Sequence, residues 1–138
     1  MRKKLKKVIP FLITIAATLC AGFIFAAFLL RPQPLQIGTV DLGTVADGSY
    51  IGVCQNKILF AVVRVEIRNH AITGIEVIEH KASYMTQAEQ IAGAVCSEQS
   101  LEVDAISGAT LTSDTTLKAI ENALEGAEGP SDRKQVLP

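Results

Sequence analysis

The chain has 138 residues, of which 49% are hydrophobic, with 13 Lys or Arg against 14 Asp or Glu. This length leaves room for one modest domain. Residues 35–138 hold seven Lys or Arg against all fourteen acidic residues, a formal charge of −7. An acidic domain without a basic stripe repels nucleic-acid phosphates, so we expect no nucleic-acid partner.

The N-terminal segment is basic and then apolar. Residues 1–7 hold five Lys or Arg, and residues 8–30 are an uncharged apolar run. About 20 apolar residues cross the hydrocarbon core as a helix, and preceding cations stay on the cytoplasmic side. A cleaved signal peptide has an apolar region of only about 7–15 residues. We therefore predict a cytoplasmic tail over 1–7 and an uncleaved anchor over 8–30, in contact with membrane lipid, which places the rest of the chain outside the cell membrane.

The next residues predict a linker and then three strands. Residues 31–46 contain two prolines and predict a linker with at most one short strand. Apolar residues alternate with charged residues in the segment 58–68, which predicts a strand with one buried face. Shorter strand patterns occupy 49–54 and 71–79, and a tight turn is expected at residues 69–70. Together these runs predict an antiparallel meander.

Two helical patterns follow the predicted strands. The first covers residues 85–96, and Thr86 with Glu89 has the spacing of a capping box. The second is predicted from residue 113 or 114 to Leu124 and ends at Gly126. The fold class predicted by strands followed by helices is α+β, an antiparallel β-meander sheet with two packed helices, preceded by one transmembrane helix.

Two shorter segments complete the prediction. A short strand is expected over 101–103, and residues 127–138 are polar and predicted to be a disordered tail. Of three cysteines, Cys20 lies in the apolar run, and the sequence is equally consistent with a disulfide between Cys54 and Cys96 and with two buried thiols. The sequence has no Cys-x-x-Cys or His/Cys cluster with metal-binding spacing, so we predict no metal site.

Hydroxyl and carboxylate side chains are concentrated at residues 104–113, directly before the second predicted helix. Gly108 lets the backbone approach a ligand closely, and a helix start offers unpaired N–H groups. The hydroxyls of Ser107, Thr112 and Ser113 can donate to phosphate oxygens. Spacing alone favours the simpler interpretation, that these hydroxyls cap the helix.

The segment 103–113, with the sequence VDAISGATLTS, resembles the signature of the FMN-binding domain family. That domain occurs in the C subunit of the sodium-translocating NADH:quinone reductase, in the G subunit of the Rnf complex and in small membrane-anchored flavoproteins. The similarity extends from about Asp47 to Leu124, and its Asp-x-x-Ser-Gly-Ala-Thr core is specific. We therefore place an FMN-binding domain at residues 47–126.

The resemblance implies a covalent cofactor. Thr110, the last residue of the core, would carry FMN through a phosphoester bond that a separate flavin transferase makes from FAD with magnesium. Asp104, Ser107, Gly108 and Ala109 match the positions that the transferase requires. A threonine hydroxyl is a poor nucleophile without a base or a metal, and this loop has no evident base of its own.

Three further residues are candidates for contacts with the flavin ring. His80 is one by its place in the resemblance, and Tyr84 and Met85 can line or stack on the ring. The alternatives are a partly exposed strand-end histidine and two packing residues at a helix start. The larger family members carry a Glu-Thr-Pro-Gly segment after this histidine, and the present chain has Ala82-Ser83-Tyr84-Met85 instead.

These observations predict a single-pass flavoprotein of the cell membrane that carries electrons outside the cytoplasm. Its expected partners are the flavin transferase and redox donor and acceptor proteins or a quinone-linked system. Two alternatives stay open. One is a flavin-dependent reductase of a small acceptor, for which His80 is the candidate acid-base group. The other is a binding module of the same fold without flavin.

Overall fold

Three antiparallel strands and two later helices form the domain that follows the N-terminal helix. The computed structural model describes residues 2–127. Its elements are α1 (Arg2–Leu29), a 3₁₀ turn (Leu42–Thr44), β1 (Gly48–Asn56), β2 (Leu59–Arg68), β3 (Ala71–His80), a 3₁₀ turn (Ala82–Tyr84), α2 (Met85–Glu98) and α3 (Thr110–Glu125). The chain divides into two compact units, the first ending at Arg31 and the second beginning at Pro32. The predicted α+β class is confirmed.

Helix α1 contains the predicted apolar run. It has 28 residues, none of them buried, and it is long and apolar enough to cross a membrane. The predicted apolar helix is thus present in the structure. Its insertion into a membrane and its orientation stay predictions.

The sheet has the order β1-β2-β3, with both neighbouring pairs antiparallel. Val63, Val65 and Ile67 on β2 are at most 1% exposed, so the alternation in the sequence identified the buried face correctly. Asn69 and His70 join β2 to β3 with φ angles of 52° and 59°. These positive φ values confirm the tight turn predicted at this position.

Both helices pack on the same face of the sheet, α3 against β1 and β2 and α2 against β3. The apolar stripe of α3, formed by Leu117, Ile120 and Leu124, is at most 4% exposed. Helix α3 also approaches β1 at Gly52, where an added Cβ would lie 1.8 Å from the Ala119 carbonyl oxygen. A glycine is therefore required for this close contact.

The segment before β1 contains a 3₁₀ turn and no strand. This agrees with the prediction of at most one short strand within 31–46. The Asp41 side chain accepts a hydrogen bond from the N–H of Gly43 (2.9 Å), a local bond that competes with strand pairing. Val45 is fully buried, and Leu35 and Ile37 pack against the same core. The boundary at residue 47 stays a prediction, while the structure extends the core contacts upstream of it.

Two local predictions after β3 are wrong. Helix α2 has Tyr84 as its N-cap residue without a side-chain cap, so Thr86 already lies inside the helix and forms no capping box. The reason is the preceding 3₁₀ turn, in which the N–H of Met85 bonds to the carbonyl of Ala82 and leads directly into α2. The strand expected at 101–103 is absent because no strand pairs with it, although Leu101 is buried.

The C-terminal end of the described region still belongs to the core. Gly126 ends α3 as predicted, and Ala127 is 8% exposed and packs in the core cluster. The predicted tail over 127–138 otherwise lies outside the described residues. Cys54 and Cys96 are free thiols, and burial raises the pKa of Cys54.

Candidate functional site

The loop before α3 is a tight turn with glycine at its critical position. The N–H of Ala109 donates to the carbonyl of Ile106 (2.9 Å), which closes a four-residue turn. Gly108 is the third residue of that turn and has φ 79°. A positive φ there is the requirement of a type II turn, and a side chain at Gly108 would be strained. An added Cβ would meet no atom within 4 Å, so the space beside the glycine is open.

Ser113 ties this turn to the helix. Its hydroxyl accepts a hydrogen bond from the N–H of Ile106 (3.0 Å) and donates one to the carbonyl of Ala109 (2.9 Å), and the residue is fully buried. The backbone N–H of Ser113 also donates to Ala109 (2.9 Å), which makes Ala109 the N-cap residue and starts α3 at Thr110. The helix thus begins three or four residues before the predicted start because this bond extends it.

The first turn of α3 is left open. Ala109 has no side chain that can cap the helix, and no acceptor within residues 2–127 pairs with the backbone N–H groups of Thr110, Leu111 and Thr112. Such N–H groups, with the positive end of the helix dipole, attract an anion. Thr110 is exposed at this end, and Thr112 is 3% exposed.

A cavity of about 440 Å³ adjoins this helix start. Five of the residues predicted from the sequence line it, and the structure brings them together with five that were not predicted. The lining residues are Pro32, Ile58, Leu59, Lys81, Tyr84, Gly108, Ala109, Thr110, Leu111 and Thr112. The cavity therefore joins the turn and helix start to the β1–β2 connection and to the end of β3.

The cavity has a polar part and an apolar part. Thr110, Thr112 and Lys81 contribute hydroxyls and one cation, and the Lys81 ammonium lies 5.9 Å from the centre of the Tyr84 ring. The other lining side chains are apolar, and Ile58, at the β1–β2 turn, is 52% exposed. This combination suits a ligand with an anionic end and a flat apolar end.

Five predicted site residues do not line the cavity: Asp104, Ser107, Ser113, His80 and Met85. Asp104 and Ser107 are exposed on the loop, and Met85 is half-buried at the start of α2. The Ser113 hydroxyl is already hydrogen-bonded within the turn, so its contact with a phosphate stays a prediction.

His80 is buried at the end of β3, directly before the cavity residue Lys81. It is 5% exposed, and its Nε2 has no hydrogen-bond partner among the described residues. Burial lowers the pKa of His80, and a hydrogen bond between Nδ1 and the Lys81 carbonyl (3.4 Å) opposes that shift. Burial therefore favours the neutral form of its ring. His80 is the last residue of β3, as the strand-end alternative expects, but the partial exposure expected in that alternative is wrong, because the side chain lies inside the fold.

A second cavity, of about 480 Å³, lies at the other end of the β1–β2 pair, next to Asp47 and Arg68. It is slightly larger, yet none of the predicted site residues lines it. The described residues also contain no group of three or more His, Cys, Asp or Glu that could hold a metal ion. The cavity beside Thr110 is therefore the candidate site.

No curated protein matches the chain. A family model described as the FMN-binding domain matches residues 60–125, which run from β2 to the last residue of α3 and include the whole turn and helix start. The resemblance to the FMN-binding domain family is thus confirmed over residues 60–125.

Proposed function

We propose that this chain is a membrane-anchored flavoprotein of the extracytoplasmic side, that FMN is joined to Thr110 by a phosphoester bond, and that the protein carries electrons. The family match supports FMN binding, and the apolar helix α1 is a candidate membrane anchor. One observation supports attachment of FMN at Thr110. Thr110 is exposed at an uncapped helix start and lines a cavity of about 440 Å³.

The polar part of the cavity fits a phosphate. The unpaired N–H groups of the first turn of α3 can donate to phosphate oxygens, and the helix dipole favours a negative charge there. Lys81 adds the cation of the cavity lining, and the hydroxyl of Thr112 adds a donor. At Gly108 the absent side chain leaves space for close approach.

The apolar part fits the flavin ring. Pro32, Ile58, Leu59 and Leu111 line the cavity with Tyr84, whose ring can pack against a flat aromatic ligand. The volume lies within the range of about 300–1,000 Å³ that is usual for small-molecule sites. The present chain lacks the Glu-Thr-Pro-Gly segment of the larger family members, and these side chains are the candidates to cover the flavin ring.

The described residues do not supply the chemistry of attachment. Within residues 2–127 no side chain hydrogen-bonds to the Thr110 hydroxyl, and the titratable side chains of the lining are Lys81 and Tyr84. A threonine hydroxyl needs a base or a metal to act as a nucleophile. We therefore assign activation to a separate transferase. The Oγ1 of Thr110 would bond to phosphorus as the pyrophosphate bond of FAD breaks, AMP would leave, and the hydroxyl proton would pass to a base of the transferase.

The position of His80 favours an electron carrier over a reductase. FMN supplies the redox chemistry when bound, and the protein orients it and excludes water. A reductase of a small substrate needs a positioned acid or base as well. His80, the candidate from the sequence, is buried and does not line the cavity.

Flavin labelling tests the proposal. The full chain is co-expressed with a flavin transferase, separated by denaturing electrophoresis and scanned for flavin fluorescence. We expect a fluorescent wild-type band and none for Thr110→Val, which removes the hydroxyl and keeps the branched shape. Thr86→Val is the matched control, an exposed threonine in the first turn of α2, and should label fully. An unlabelled wild type or a labelled Thr110→Val would refute the covalent link.

A further inference from the structure

The cavity is connected to the end of α1 by a very short piece of chain. Helix α1 ends at Leu29, and Pro32 lines the cavity. Three residues of extended chain span at most about 10 Å. This limit is set by covalent bonds, so it holds at every angle between α1 and the domain.

The chain after Pro32 cannot supply extra length, because it is fixed to the domain. The buried side chain of Asn56, at the end of β1, accepts a hydrogen bond from the N–H of Gln33 (3.1 Å) and donates one to its carbonyl (2.6 Å). Leu35 and Ile37 then pack against the core. The connection is therefore limited to Leu30 and Arg31, whose N–H groups donate to carbonyls at the end of α1 (3.1 and 3.3 Å).

The length of α1 fixes where this connection starts. At a rise of 1.5 Å per residue, Val8 to Leu29 spans about 33 Å, close to the hydrocarbon thickness of about 30 Å. With α1 inserted, Leu29 lies near the boundary between hydrocarbon and headgroups. Each headgroup layer is about 5–7 Å deep. Pro32 must then lie in that layer or only a few ångströms beyond it.

The part of the domain beside Pro32 suits such a position. The β1–β2 turn consists of Lys57 and Ile58, both exposed, and Ile58 lines the cavity with Pro32. A cation next to an exposed apolar side chain is a common combination at membrane interfaces. Lys81 adds a second cation on the cavity lining of a domain that is otherwise acidic.

We propose that the cavity beside Thr110 opens in the phospholipid headgroup layer, where the short connection 30–31 holds it, and that the β1–β2 turn faces the lipid. This inference rests on the membrane anchor of the proposed function. It adds the lipid surface as the partner of a defined part of the domain and sets the depth at which electrons are exchanged.

A single tryptophan can report this depth, because the chain has none of its own. Ile58→Trp places the reporter at the turn, where the native side chain is 52% exposed. Ile51→Trp is the matched control. Ile51 is 60% exposed and lies on β1, about 17 Å along the strand from Asn56, the last residue before the turn. Both full-length variants are made without the transferase and placed in phosphatidylcholine vesicles whose acyl chains are brominated near the headgroups. We expect bromine to quench the Ile58→Trp variant at least twofold more strongly.

A longer connection tests whether the short segment 30–31 holds the β1–β2 turn at the membrane. Twelve Gly or Ser residues inserted after Arg31 have a root-mean-square span of about 19 Å. We expect this insertion to reduce quenching of the Ile58→Trp variant to the control level. Equal quenching of the two tryptophan variants, or quenching that the insertion leaves unchanged, would overturn the inference.

Extraction with alkaline carbonate separates this inference from the proposed function. Release of the full chain from membranes would refute the anchor and the inference with it. A chain that is retained while the Ile58→Trp variant is no more quenched than its control would refute the inference alone. Flavin labelling at Thr110 is independent of both outcomes.

Discussion

The close contact between β1 and α3 predicts that one methyl group added at Gly52 strongly lowers the free energy of unfolding. In Gly52→Ala, the new Cβ would lie 1.8 Å from the carbonyl oxygen of Ala119 and 2.7 Å from the backbone nitrogen of Ala123. Both are backbone atoms, which no side-chain rotation can move. Ordinary contact begins at 3.4 Å, so the helix and the strand must separate by roughly 1.5 Å.

That separation disturbs the best-buried part of the domain. Gly52 is paired with Val63 in the centre of the sheet, and α3 has its apolar stripe on the same side. Overpacking of a core costs typically about 1–3 kcal/mol, and the rigid backbone places this site at the upper end. We expect Gly52→Ala to lower the free energy of unfolding by about 3 kcal/mol, a factor of about 150 in the folding equilibrium.

Urea unfolding followed by circular dichroism measures this difference on the unit that begins at Pro32. Gly74→Ala is the matched control, since Gly74 lies on β3 of the same sheet and an added Cβ would meet nothing within 4 Å. Its free energy of unfolding should stay within about 0.5 kcal/mol of the wild type. A difference below about 1 kcal/mol between the two variants would refute the close-contact argument.

Two further predictions concern His80 and Ser113. The folded-state pKa of His80 is lowered by burial, so protonation favours the unfolded chain. The free energy of unfolding should be constant above about pH 6.5 and fall below it, by at most about 1.4 kcal/mol per pH unit. Measured between pH 5.5 and 8, His80→Leu should lack the part of this fall that comes from His80. Identical pH slopes for the wild type and His80→Leu would contradict the lowered pKa of His80. Ser113→Ala leaves the N–H of Ile106 without its acceptor and should cost about 1–3 kcal/mol and reduce flavin labelling. The exposed Ser97→Ala is its control in urea unfolding and in-gel fluorescence, and equal results for the two serine variants would show that the turn does not depend on this hydroxyl.

The sheet could be predicted from the sequence because its signal is local. Alternation along residues 58–68 and the positive-φ turn at 69–70 each depend on neighbouring residues. The two helical stripes and the motif at 104–110 are likewise patterns of neighbouring residues. These features position the end of the site that carries Thr110.

The other side of the cavity could not be predicted, because its residues are distant in sequence. Pro32, Ile58 and Lys81 meet Thr110 only when the β1–β2 turn and the end of β3 fold against α3. Residues 31–46 are mixed in composition and contain glycines and two prolines, which predicts a linker. The apolar side chains of this stretch, Leu35 and Val45 among them, are nevertheless a signal for packing.

The start of α3 bears on the two interpretations of the hydroxyl-rich loop, helix capping and phosphate binding. A capping side chain would accept the N–H of the second or third helical residue and stabilise the protein by about 1 kcal/mol. The chain instead has Ala109 at the N-cap, and Ser113 directs its hydroxyl to the turn. The hydroxyl of Thr110 also makes no cap. Capping therefore does not explain the hydroxyls of this loop, and the N–H groups that a cap would occupy remain available to the phosphate that we propose on Thr110.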